Sequence, residues 1–391
     1  MTLSTLPLGY CTNVHAGRSL ADVEVGLDEY TVPVAQRCGV SLAAGLWLSR
    51  PVVSELLADD STLKRFAEGL RRRDLVCYTL NAFPYSDFHD ERVKEKVYLP
   101  DWTTGERLDY TVDCARVLAG LLPDEVEGSI STVPLGFKEF EHPADFLDSC
   151  CQQLITLAGS LDELREHTGK TVRLAIEPEP FCVLETTPEA ITFFDRLRNR
   201  AADAGALNIV ETHIGLCYDI CHQAVEFEDV AASIASLDTA GIRINKVHIT
   251  CAIEIDRPSE NVEALAALAS YVEPRYLHQT MARSSSGEIL RVVDLTEKLA
   301  TAPDPAFRDA EMWRVHYHIP VDAENLGPLG TTRNDVRTAL RAVAGLDYAP
   351  HLEVETYTWE VLPGGEKPDL VTGLARELTA THELLGEIAG Q

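Results

Sequence analysis

Basic charge is scarce in this chain. Its 34 Lys and Arg face 62 Asp and Glu, a formal net charge of −28 over 391 residues. A protein that holds DNA or RNA must neutralise phosphates with Lys and Arg. A deficit this large excludes a nucleic-acid partner and an anionic membrane surface unless a local basic patch reverses it. The longest basic run is Arg71-Arg72-Arg73, which closes a helical pattern and reads as solvated charge at a helix C-terminus. Long apolar runs are missing too. No stretch approaches 18 consecutive apolar residues, so no membrane insertion is expected. The first ten residues lack a positive segment followed by an apolar one, so no secretory signal is expected. The ten cysteines form no zinc-type CxxC pair, and most sit inside apolar runs such as residues 75–80. They read as small buried hydrophobes in a reducing compartment, which predicts a cytoplasmic protein.

What is present is a repeated alternation. Short apolar runs at residues 8–14, 42–48, 75–82, 129–134, 172–177, 214–219, 246–250, 314–320 and 352–357 are separated by longer amphipathic segments. The runs show no clean polar alternation, as expected for parallel strands buried on both faces. Helical patterns cover 19–38, 61–73, 109–122, 144–167, 188–202, 225–238, 334–344 and 369–389. Strand followed by helix about eight times over predicts an α/β protein of the (β/α)8 barrel class. Nine strands are one too many for that barrel. The surplus lies between 246 and 357, where 276–282 and 288–294 flank Ser284-Ser285-Ser286-Gly287 and read as a β-hairpin. Residues 1–391 are therefore expected to form one barrel domain with insertions at about 84–105, after strand three, and 253–321, around strands seven and eight. Either 246–250 or 314–320 is the regular barrel strand.

Active sites of such barrels lie at the C-terminal ends of the strands. Strand five ends in Glu177-Pro178-Glu179-Pro180 and strand six in Asp219-Ile220-Cys221-His222. His248 follows on strand seven. His316 and His318 share one face of their strand, as do Glu353 and Glu355. Any one of these is unremarkable at a barrel rim. Four successive apolar strands ending in Glu, Asp, His and Glu are harder to explain by structure alone. Buried carboxylates need protons, cations or strong donors. One divalent ion serves several at once, and a carboxylate-rich set with imidazole suits Mn²⁺, Mg²⁺, Co²⁺, Fe²⁺ or Zn²⁺.

The order Glu, Asp-x-x-His, His, Glu along strands five to eight resembles the xylose-isomerase-like TIM-barrel superfamily. That group includes sugar isomerases and epimerases and phosphodiesterases of the endonuclease IV type. More narrowly, several strings are similar to the EboE family of metabolite-traffic proteins from Ebo operons. They are Gly9-Tyr10-Cys11-Thr12-Asn13-Val14-His15, Asn81-Ala82-Phe83-Pro84-Tyr85, Val93-Lys94-Glu95-Lys96-Val97-Tyr98-Leu99-Pro100-Asp101-Trp102, Ser131-Thr132-Val133-Pro134-Leu135-Gly136 and Glu353-Val354-Glu355-Thr356-Tyr357-Thr358-Trp359.

The resemblance implies a divalent metal held by Glu177, Asp219, His248 and a strand-eight glutamate, Glu355 being nearer the strand end than Glu353. Glu177 and Glu355 would also exchange a substrate proton through a metal-stabilised enediolate, and His222 would bind a substrate oxygen. The histidines His278, His316 and His318 depart from the small isomerases. One of them either replaces His248 as a ligand or completes a second metal site. In the loop 84–105, Lys94 or Lys96 is expected to meet a substrate phosphate or carboxylate, and the aromatics, Trp102 among them, to cover a sugar or cyclitol ring. His15, at the end of strand one, is a further substrate-binding candidate. The implied partner is a small polyol or sugar-like molecule, and homo-oligomers are common among related barrels. The competing expectations are a phosphodiesterase acting on a small phosphorylated substrate, and a nonenzymatic metabolite-binding protein.

Overall fold

The short apolar runs become strands because both their faces are covered, one by helices and one by the barrel interior. A computed structural model describes residues 2–364 and 368–390. Its parallel strands are Gly9–Cys11, Leu42–Trp47, Leu75–Val76 continued by Thr79–Asn81, Gly128–Thr132, Val172–Ile176, Ile214–Asp219, Ile244–Ile249 and His351–Val354. Gly9 pairs with Glu353 on the last strand and with Ala43 on the second, so the sheet closes on itself. The protein is a (β/α)8 TIM barrel. Gly9 allows that closure, since a Cβ there would lie 2.6 Å from the Ala43 carbonyl oxygen. No helix among the described residues is long and apolar enough to cross a membrane.

The barrel interior is partly polar. The Lys246 ammonium crosses it to Glu353 at 2.6 Å, and both side chains are buried. Gly45 makes room for this pair, because a Cβ there would meet Glu353 Oε1 at 1.3 Å.

Several helices differ from the expectation. The pattern at 19–38 is three pieces: Leu20–Gly26, a wider π turn over Leu27–Thr31, and Val32–Cys38. The pattern at 225–238 gives Ile220–Val225 and then Val230–Thr239, restarted by the Asp229 side chain capping Ala231 and Ala232. The helices Arg50–Leu56 and Leu207–His213 were not anticipated, each being only seven residues long.

Of the two candidates left open for strand seven, 246–250 is the barrel strand. Residues 314–320 are not in the barrel. They belong to Met312–Ile319, an inner strand of a separate antiparallel sheet. Its order is Ile289–Val292, Thr280–Arg283, Met312–Ile319, Cys251–Asp256, Leu329–Thr331 and Asn325–Leu326. The expected hairpin is there, and the insertion reaches further on both sides than 253–321. The sheet begins at Cys251, two residues after barrel strand seven, so it rises directly from the barrel rim. The ladder between Met312–Ile319 and Cys251–Asp256 is irregular between Val315 and Ile319, the segment that carries His316 and His318.

Candidate metal centre

Four side chains from successive barrel strands converge. Glu177 lies one residue beyond strand five. Asp219 ends strand six, and its Oδ1 accepts from the His222 amide at 2.9 Å, capping the next helix. His248 is on strand seven and Glu355 just beyond strand eight. One ligand atom of each lies within 4.8 Å of those of the other three, and all four residues are buried. His248 Nδ1 is 2.8 Å from Glu177 Oε1, 3.2 Å from Glu355 Oε2 and 3.7 Å from Asp219 Oδ2.

The two strand-eight glutamates have different places. Glu353 sits behind the imidazole, accepting from His248 Nε2 at 3.1 Å. That bond fixes one ring proton on Nε2, so Nδ1 is the nitrogen that faces the carboxylates and would be free to ligate an ion. A carboxylate backing an imidazole this way is a recurrent support for a metal ligand. Glu355 stands on the other side of the ring, where Asn13 and Asn81 donate to its Oε1 at 2.9 and 2.8 Å.

A cation fits these residues. Glu177 Oε2 and Asp219 Oδ2 are buried and have no hydrogen-bond partner. Three carboxylates massed out of water are costly without countercharge. In its absence protons take that role. Burial first, and the Glu177 charge second, push the Asp219 carboxyl well up. Desolvation raises Glu355 to about 7. Burial works against a charged His248, but Cys217, Glu177 and Glu355 around it raise it well above the ordinary imidazole range. Three oxygen donors and one nitrogen suit Mg²⁺, Mn²⁺, Fe²⁺, Co²⁺ or Zn²⁺.

Above this cluster is a pocket of about 500 Å³, counting its opening to solvent. Glu177 and Glu355 form part of its floor, with His222, His316, His318 and Glu179 beside them. Asp219 and His248 lie behind and do not line it. The inserted sheet thus delivers His316 and His318 to the same pocket that the barrel supplies with carboxylates. His316 Nε2 and His222 Nε2 approach His318 Nε2 at 3.0 and 3.3 Å.

The roof joins the two insertions. The amides of Val93 and Lys94 donate to the Arg275 carbonyl at 2.9 and 2.8 Å. Trp47, Phe88, Val93 and Tyr276 pack into one apolar cluster over the mouth.

Other expected site residues are placed elsewhere. Trp102 is fully buried in the core, with Nε1 donating to Thr132 Oγ1 at 3.1 Å, so it covers no substrate ring. Lys94 reaches the pocket wall, but its ammonium is engaged by Asp294 at 2.5 Å and the Tyr276 carbonyl at 3.0 Å. It fastens the loop to the inserted sheet instead of awaiting an anion. His15 is packed between Tyr10 and Tyr30 outside the pocket, its Nε2 3.1 Å from the Tyr10 hydroxyl. His278 is stacked on Tyr317 and braces the sheet, with Nδ1 on the His316 carbonyl and Nε2 on Glu273 Oε1.

Two residues escaped the sequence reading. Glu179 lines the pocket and accepts from the Tyr98 hydroxyl at 2.7 Å. Burial raises its carboxyl to about 8. Its sequence signal was the alternation Glu177-Pro178-Glu179-Pro180 beyond an apolar strand. Gln279 orients His316, its Oε1 2.7 Å from His316 Nδ1. Nothing in the sequence marks it.

No family model matches the chain, and no curated protein matches it. Solved structures do. The chain is similar to the structure of an L-ribulose 3-epimerase, with a TM-score of 0.53 and 12% identity over 98% of this chain and 95% of that one. It is also similar to a xylose isomerase-like TIM barrel protein from Mycobacterium smegmatis in complex with magnesium. That match has a TM-score of 0.52 and 12% identity over 99% of both chains. At such identities the likeness establishes the barrel fold.

Proposed function

We propose that this protein is a cytoplasmic, divalent-metal-dependent isomerase or epimerase of a small sugar-like or cyclitol-like metabolite. The convergence of Glu177, Asp219, His248 and Glu355 within 4.8 Å, beneath a closed-in pocket, carries this reading. Two barrels of the same fold support it, one described as an epimerase and the other as holding magnesium. The similarity to EboE strings points to a role in metabolite biosynthesis or traffic. Nine of the ten cysteines are buried and all are free, which suits a reducing compartment.

Glu177, Asp219, His248 and Glu355 would hold the ion. Bound there, a divalent cation supplies positive charge beside a substrate oxygen that becomes anionic when the neighbouring carbon loses its proton. The chain's own groups do the rest. Glu355 lines the pocket floor, where its carboxylate is placed to take a proton from a bound substrate. Asn13 and Asn81 pin its Oε1, leaving Oε2 facing the cluster. Glu177 stands on a different strand, so a proton removed by one carboxylate is returned by the other, at another carbon or on the other face. Burial, which raises Glu179 to about 8, favours its neutral form in the pocket wall. The aromatic roof excludes water from the exchanging proton.

Incubation with candidate ketoses, aldoses and inositols in deuterium oxide, with each metal in turn, tests the reading. Deuterium at an exchangeable carbon is the expected result. Glu355→Gln should lower that exchange by roughly 10²- to 10⁴-fold while leaving the circular dichroism spectrum unchanged. Unchanged exchange in the variant sinks the role of Glu355. Wild-type protein that takes up no divalent ion, and shows no melting shift with any, sinks the whole reading.

A further inference from the structure

The three histidines of the pocket wall present an electrostatic problem. His318 Nε2 stands between the Nε2 atoms of the other two, 3.0 Å from His316 and 3.3 Å from His222. Each ring has its other nitrogen fixed. His222 Nδ1 lies 2.9 Å from the Pro178 carbonyl and His318 Nδ1 lies 3.0 Å from the Glu355 carbonyl. A carbonyl has no proton to give, so both Nδ1 atoms donate.

His316 Nδ1 lies 2.7 Å from Gln279 Oε1. The amide cannot be reversed, because its nitrogen is held by the Pro180 carbonyl at 3.2 Å and Glu179 Oε1 at 3.3 Å. His316 Nδ1 therefore donates as well. All three rings are Nδ1–H tautomers, and three bare Nε2 lone pairs face one another out of water. Such an arrangement repels unless something positive lies between them. Imidazoles locked at Nδ1 by carbonyl or amide oxygens are what ligating histidines require.

The surroundings complete a donor shell. Each pair of the three rings has one further donor within 4.8 Å: Glu179 with His222 and His316, Asp219 with His222 and His318, Cys221 with His316 and His318. Asp219 Oδ2 is buried with no hydrogen-bond partner. It lies 3.9 Å from His222 Nε2 and 3.7 Å from His248 Nδ1, between the two clusters.

We infer that His222, His316 and His318 bind a second divalent ion through their Nε2 atoms, with Asp219 as the group shared with the Glu177–Asp219–His248–Glu355 site. Three imidazoles with one open position form the donor set of catalytic zinc. The site takes Zn²⁺, Co²⁺ or Fe²⁺, and rejects Mg²⁺, which prefers oxygen ligands. Its open side faces the pocket, where a substrate oxygen can join the three imidazoles and Asp219 as a further ligand. This assignment rests on ligand geometry alone and does not require isomerase activity.

Chelator-stripped full-length protein, titrated with Co²⁺ and assayed for bound metal, tests it. Wild type should bind two Co²⁺ per chain. Prior saturation with Mg²⁺ should leave one Co²⁺ event, with the visible absorption of a nitrogen-rich, low-coordinate site. His316→Asn/His318→Asn should remove that event, weakening it at least 100-fold, and keep the other. Should the double variant not fold, His222→Asn is read in its place, with near-ultraviolet circular dichroism as the folding check. If wild type binds one Co²⁺, unaffected by the histidine variants but lost in Glu177→Gln/Glu355→Gln, the second site is refuted and the carboxylate site stands. The reverse pattern upholds the histidine site and overturns the carboxylate one. No Co²⁺ binding at all overturns both, leaving a proton shared among the three rings.

Discussion

The two halves of the pocket are built on different physics. The barrel half is charged: Lys246, Glu353, His248, Glu177, Asp219 and Glu355 form a continuous buried chain of opposite and like charges. The inserted half is neutral. His316, His318 and Gln279 are oriented by hydrogen bonds, and burial first, with neighbouring imidazoles second, holds both histidines well below the ordinary range. Buried charge is stable only when it is balanced, so the barrel half is sensitive to any change of charge. Neutral groups need only direction, so the inserted half is sensitive to any change of orientation. This difference sets which substitutions each half tolerates.

The largest effect on stability should come from Lys246→Met. It leaves the Glu353 carboxylate buried without its 2.6 Å partner. Breaking such a pair from one side typically costs about 3–5 kcal/mol. Urea denaturation of variant and wild type checks it. Lys246→Met/Glu353→Leu should recover most of that loss, because both charges are then gone. If the single variant is as stable as wild type, the barrel half is not governed by charge balance.

Acid should expose the same pair. Desolvation works to raise Glu353, but Lys246, with His248 beside it, holds it down at about 2. A depressed acid contributes stability above its unfolded value and loses it as pH falls through the folded value. The contribution here is about 3 kcal/mol, fully present above roughly pH 5 and lost progressively toward pH 2. Denaturation at a series of pH values should show this loss in wild type and not in Lys246→Met/Glu353→Leu. Parallel acid profiles for the two would remove Glu353 from the account.

The halves also differed in how much of them could be read from the sequence. In the barrel, strand periodicity and chain order place Glu177, Asp219 and Glu355 at C-terminal strand ends. They leave strand seven open between 246–250 and 314–320, so His248 enters the ligand set only through the resemblance to xylose-isomerase-like barrels. The choice between Glu353 and Glu355 follows from position along the strand. In the insertion, local patterns gave the hairpin but not its partners. The placement of Met312–Ile319 depends on antiparallel pairing with Cys251–Asp256, some sixty residues earlier, and no local signal encodes that. The misplacement of Trp102 and Lys94 has a related cause. An aromatic or a lysine in a long loop reads equally as a ligand contact or as the packing of the loop itself, and here Thr132 and Asp294 claim them. Glu179 escaped because its role comes from Tyr98 and Gln279, which reach it from both insertions.

The smallest effect, and the one that most sharpens the contrast, belongs to Gln279→Leu. This residue carries no charge and touches no ion. Toward the histidine site it acts by fixing His316 Nδ1 at 2.7 Å through its Oε1. Removing the acceptor frees the His316 ring to rotate or to change tautomer. Loss of such an outer partner typically lowers metal affinity 10- to 100-fold. Co²⁺ should therefore bind the histidine site more weakly by that factor, with Mg²⁺ binding at the carboxylate site unchanged. Gln279→Glu should not restore the affinity, since its second oxygen would face the Pro180 carbonyl and Glu179 Oε1 that the amide nitrogen satisfies. Should Gln279→Leu weaken both sites alike, the two halves would be one coupled unit, and the division between balanced charge and fixed direction would fail.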